Sequence, residues 1–120
     1  MRLTVIWIDR QCARVFHVSN EKMERKYLGK GHVEHHTHRP DARDHQREEV
    51  PLFKEAVKEL SQADRSVIIG PGMAKHHFQT FLIEHHPQIA KRISGFETVD
   101  HPTDAQIAAL AQRYFALATA

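Results

Sequence analysis

Cysteine occurs once in the 120 residues, at Cys12. One thiol cannot close an internal disulfide, and its solitude removes every zinc pattern built on cysteine. Nothing around it argues for a reactive thiolate, so Cys12 reads as a small strand residue rather than a nucleophile. Long apolar runs are missing too, and no stretch approaches the roughly 18 residues of a membrane span. After Met1-Arg2 the apolar segment LTVIWI stops at Asp9-Arg10. That is too short for the apolar region of a secretory signal, so a cytoplasmic protein without a membrane partner is expected. Charge of one sign is scarce. The formal net charge is +2, too mild to imply nucleic acid by itself. Residues 1–50 hold ten Lys/Arg against eight Asp/Glu, and residues 51–120 hold seven of each. Protonation of histidines below about pH 6.5 would enlarge the small excess.

The remainder is ordinary for a globular chain. Hydrophobic residues make up 41% and charged residues 27%, enough for one core in one domain over residues 1–120. There is no internal repeat and no linker. LTVIWI (3–8) is a run of β-formers closed by the polar turn DRQ. ARVFHV (13–18) follows, then the turn SNEK, then MERKYLG (23–29). Short polar turns between strands favour an antiparallel meander. Residues 30–47 carry no apolar periodicity and predict a long polar loop, a length at which loops are often functional or else merely polar and mobile.

From Glu48 the period changes. Phe53, Ala56, Val57 and Leu60 stand at i, i+3, i+4 and i+7, the pattern of an amphipathic helix ending near Gln62. Pro51 suits the first turn of that helix. SVIIG (66–70) reads as a strand covered on both faces. Gly70-Pro71-Gly72 breaks the chain, and a helix follows with Ala74, Phe78, Phe81, Leu82 and His85 on one face until Pro87. QIAKRI predicts a short helical piece and ISGFETV (93–99) the last strand. A final helix, capped by Thr103 or Asp104, follows with Ile107, Leu110, Ala111, Tyr114 and Phe115 as its apolar face. The expected order is β-β-β-α-β-α-β-α. Right-handed crossovers would gather the strands into one mixed sheet with helices on its faces, the three-layer α/β layout of a ribonuclease H-like domain.

Three constellations could carry chemistry. Gly70-Pro71-Gly72 with Lys75 has the outline of a phosphate cradle, since free N–H groups at a helix start favour anions. Neither the P-loop pattern nor GxGxxG is present, so a tight strand-to-helix turn is the plainer account. His32, His35, His36 and His38 fall within seven positions, with Glu34 and Asp41 nearby. They could supply a metal with imidazoles and a carboxylate, but HExxH is absent, and His35 and His36 would point apart on an extended chain. Arg39, Arg43, Gln46 and Arg47, with the same histidines, could instead pair with RNA phosphates or bases. His76-His77 and His85-His86 are helix-surface residues on this reading. Finally, Asp9 and Asp100 follow the first and last strands. With Glu48 or Glu55 they could form the carboxylate cluster of a two-metal nuclease, although both also suit turns.

VIWIDRQCARVFHV, a polar loop, a long helix, IIGPGMAK and TVDHPTDAQIAAL together resemble the central domain of eukaryotic and archaeal class-1 peptide-chain release factors and of Pelota-type ribosome-rescue factors. Over nearly the whole chain they resemble a family of small bacterial translational machinery proteins. In that superfamily a buried strand leads into a GPG-type turn and a nearby lysine, here Gly70-Pro71-Gly72 and Lys75. The resemblance implies a translation-associated factor whose partner is the ribosome or RNA, not DNA. His35, His36, His38, Arg39, Arg43, Gln46, Arg47 and Lys75 are then the candidate RNA contacts, and no cofactor is expected. Release factors carry Gly-Gly-Gln in the loop before the first long helix and promote peptidyl-tRNA hydrolysis with it. GHVEHHTHRPDARDHQR has no such tripeptide, and Pelota-type factors, which lack it too, are not hydrolases. A factor without hydrolase activity is therefore expected. A metal-dependent hydrolase or nuclease, and a protein-interaction module whose loop orders on a partner, are the alternatives.

Overall fold

The computed structural model describes residues 2–19, 22–29 and 42–119, with the side chains of 42–49 and 117–119 left aside. Leu3–Ile8 forms strand β1, and all six of its residues are buried. That follows from its place at the centre of a five-stranded sheet. Cys12–Ser19 (β2) pairs with it antiparallel and Arg65–Gly70 (β4) parallel. Lys22–Gly29 (β3) adds antiparallel to β2, and Ile93–Thr98 (β5) adds parallel to β4. The order is β3-β2-β1-β4-β5, a mixed sheet.

Alternation along the strands sorts their side chains onto two faces. Ile6, Ile8, Ala13, Val15, Leu28 and Ile68 face a layer of three helices: Ala42–Leu60 (α1), Ala74–His85 (α2) and the short Pro87–Ala90 (α3). Leu52, Phe53, Ala56, Val57 and Leu60 of α1 and Phe78 and Leu82 of α2 close that core. Leu3, Val5, Trp7, Phe16, Val18, Val67 and Ile69 face the opposite way, onto Ile107 and Ala111 of Asp104–Thr119 (α4). Each large side chain so buried contributes roughly 1.5–3 kcal/mol. Gly95 lets the β5 edge close on α4, because the Tyr114 ring lies where a Cβ would stand.

The ends of the elements have visible causes. Asp9 builds the first turn by accepting the N–H groups of Gln11 and Cys12, both at 2.8 Å. Thr103 and Gln106 cap α4 reciprocally: the Thr103 hydroxyl accepts the Gln106 N–H, and the Gln106 side chain accepts the Thr103 N–H.

One boundary differs from the sequence expectation. Helix α1 starts at Ala42, not near Glu48, and Pro51 lies inside it. Residues 42–47 are thus the first turns of a helix, not the end of a loop. Arg, Gln and Glu are good helix formers without any apolar stripe, so a polar helical segment leaves no periodic signal. Pro51 has no N–H to give to a carbonyl one turn back, which marks the junction between this polar segment and the core-packed one.

Candidate functional site

Strands β1, β4 and β5 are parallel and end at Ile8, Gly70 and Thr98 on one edge of the sheet. The carboxyl edge of parallel strands is where open α/β sheets usually bind ligands. Gly29 reaches the same edge through its pairing with Cys12. Helix α1 must start there as well, since it leads at its other end into Arg65, the first residue of β4. The described chain therefore leaves this edge at Gly29 and returns to it at Ala42. Nineteen helical residues span about 28 Å, whereas a six-residue strand spans about 20 Å. The surplus of more than a turn is available to extend beyond the sheet.

His32, Glu34, His35, His36, His38, Arg39 and Asp41 lie outside the described residues. Arg43, Gln46 and Arg47 fall on the first turns of α1, where spacings of three and four put them on one helical face. His45 belongs to the same segment.

The Gly70-Pro71-Gly72 turn sits at the middle of this edge. Gly70 is required by close approach: a Cβ on it would meet the Ile8 carbonyl oxygen at 2.2 Å. Gly72 adopts φ +55°, a left-handed conformation that glycine accepts without strain. Lys75, the candidate contact beside this turn, packs inward. It is 2% exposed. Its ammonium donates to the Gly72 carbonyl at 2.6 Å and lies 5.9 Å from the centre of the Phe96 ring. A buried ammonium needs such partners, and Lys75 here stitches the turn to the first turn of α2.

Asp9 and Asp100 flank the turn on either side. Asp9 directs an oxygen to its own turn, as described above, and Asp100 is exposed, 3.6 Å from His101. Glu55 is exposed on α1. Among the described residues no three His, Cys, Asp or Glu side chains are grouped to hold a metal ion. The backbone carbonyls of Val99 and Asp100 accept the indole N–H of Trp7, at 3.3 and 3.0 Å, which ties this end of β5 to β1. His76 lies against Phe96 with ring centres 5.0 Å apart, and His85 and His86 flank Phe81.

Two polar clusters escaped the sequence reading. Between the sheet and α1, the Thr4 hydroxyl meets His17 Nδ1 at 2.7 Å, and His17 Nε2 meets Glu59 at 2.9 Å. The other Glu59 oxygen accepts from Lys26 at 2.9 Å. Burial pushes the Glu59 carboxyl up, but its bonds with His17 and Lys26 outweigh that and hold it below the usual carboxylate value. Hydroxyl, imidazole and carboxylate stand in the order of a catalytic triad, yet Thr4 is fully buried and His17 nearly so. The cluster is a polar tie inside the core. Its signal was present: His17 shares the alternation of Ala13 and Val15, and Glu59 follows Leu52 and Ala56 on the inward face of α1.

The second cluster lies on the α4 side of β2 and β3. Asp104 accepts from both Arg14, at 2.8 Å, and Arg25. Arg14 is directly opposite Tyr27 across the strand pair. The neighbouring Cys12 thiol pushes the Tyr27 phenol above its ordinary value. Burial raises the Cys12 thiol, in keeping with a small strand residue rather than a nucleophile.

Solved structures share this fold. The Pelota protein of Archaeoglobus fulgidus superposes with a TM-score of 0.61 at 21% identity, over 93% of this chain and 31% of its own. The archaeal translation termination factor aRF1 gives 0.66 at 16% identity, over 94% and 34%. Dom34 of S. cerevisiae, described as a translation termination-like factor involved in RNA quality control pathways, gives 0.57 at 8% identity, over 93% and 34%. The chain spans about a third of the length of these structures. No family model matches the sequence, and no curated protein matches it.

Proposed function

We propose that this chain is a translation-associated, cytoplasmic domain that binds the ribosome or RNA and does not hydrolyse peptidyl-tRNA. The observation that carries this reading is the fold shared, over nearly all of the chain, with translation termination-like factors. We read its three layers as ribonuclease H-like. The absence of Gly-Gly-Gln anywhere in the sequence supports a role without hydrolysis.

The proposed contact is the carboxyl edge of the parallel strands, at the segment that leaves Gly29 and re-enters at Ala42. Arg43, Gln46 and Arg47, from the first turns of α1, would meet phosphates and base edges. His35, His36, His38 and Arg39 would extend the contact from the segment before it. The Gly70-Pro71-Gly72 turn with the buried Lys75 serves as the rigid floor of that edge.

Phosphate contacts release counterions, so affinity should fall steeply with salt. The purified chain is expected to co-sediment with ribosomes at about 50 mM salt, and to lose most of that binding at about 200 mM. Failure to sediment with ribosomes or to bind RNA at the lower salt would overturn the proposal.

A further inference from the structure

Tyr27 is the exposed large aromatic among the described residues, at 55% exposure. It stands on an edge strand, on the face that α4 covers. There the Arg14 guanidinium donates to the Pro102 carbonyl at 3.3 Å and, with Arg25, bonds Asp104 at the start of α4. Tyr27 lies one step further along β3, toward the carboxyl edge and two residues before Gly29. A sheet surface, an open ring and flanking arginines are thus brought together beside the point where the proposed RNA-contacting segment departs.

We propose that Tyr27, with Arg25 and Arg14, is a stacking platform for an unpaired base of single-stranded RNA. The inference rests on the RNA-binding reading above and adds a second contact to it. Bases stack on any flat aromatic face, and arginines beside the ring supply the phosphate contact. Arg25 is exposed and gives Asp104 a bond from Nη1, and a guanidinium has five N–H donors in all. A duplex would not offer the ring an unstacked base.

Fluorescence anisotropy of a labelled oligouridine, and of a duplex RNA of the same length, tests this. Tyr27→Ala should weaken oligouridine binding by about 5- to 100-fold. Tyr27→Phe keeps the ring and should stay within about threefold of the wild type. Arg25→Ala should lower the salt slope by about one unit, a change that Tyr27→Ala does not make. Duplex binding should be insensitive to Tyr27→Ala. Circular dichroism shows whether each variant is folded, and the exposed position makes unfolding unexpected. If the wild type binds oligouridine and Tyr27→Ala binds equally well, the platform is overturned while the RNA-binding reading stands. If the wild type binds neither RNA, both fall.

Discussion

Replacing Gly70 with alanine is expected to destabilise the protein by about 3 kcal/mol or more, a loss of the size reserved for core strain. The added methyl would stand 2.2 Å from the Ile8 carbonyl oxygen. That oxygen belongs to the backbone of the central strand and cannot rotate away. β1 and β4 would have to separate, or the Gly70-Pro71-Gly72 turn would have to move. In a domain of this size each kcal/mol lowers Tm by about 4 °C, so a fall of at least about 12 °C is expected in a thermal melt. Gly72→Ala is the control. Its φ of +55° strains an alanine, but nothing lies within 4 Å of the new methyl, so a cost near 1 kcal/mol is expected. Equal melting temperatures for the two variants would show that the close approach does not constrain the turn.

The second large effect concerns Glu59. Glu59→Ala should cost about 3 kcal/mol, because it removes one member of a buried, bonded pair and leaves His17 Nε2 without its partner. Lys26 is largely exposed, and losing its contact adds little. Glu59→Gln retains hydrogen-bonding capacity and should cost less. The pH dependence has a definite sign. Because the folded state holds the Glu59 carboxyl below its usual value, its stabilisation is complete above the ordinary carboxylate range. It is lost as pH falls through the lowered folded value. Urea titrations at about pH 6 and about pH 3 should therefore show a smaller acid penalty for Glu59→Gln than for the wild type. An identical acid penalty in the two proteins would contradict this account of the cluster.

Much of the fold was legible because its signals are local. LTVIWI and SVIIG are runs of β-formers that only a strand buried on two faces can use, and they lie side by side at the middle of the sheet. The stripe Phe53, Ala56, Val57 and Leu60 declared the packed half of α1. Its first half was not legible: the sequence from Ala42 to Glu49 has no apolar stripe to mark a helix. Pro51 then looked like a helix start when it lies inside the helix. The burial of Lys75 was not legible for a different reason: only the path of the turn brings the Gly72 carbonyl to its ammonium. Tyr27 was hidden by the irregular alternation of MERKYLG.

The carboxyl edge joins these observations. Glycines at its centre fix the backbone, a buried lysine braces the turn, and the chain both leaves and re-enters the described fold there. The central claim is that basic residues around this re-entry point bind the ribosome or RNA. Its most direct measurement is ribosome co-sedimentation at low salt of a chain carrying Arg39→Glu, Arg43→Glu and Arg47→Glu. Loss of binding by about tenfold or more, with thermal stability unchanged, is the predicted result. A triple variant that sediments with ribosomes as the wild type does would contradict it.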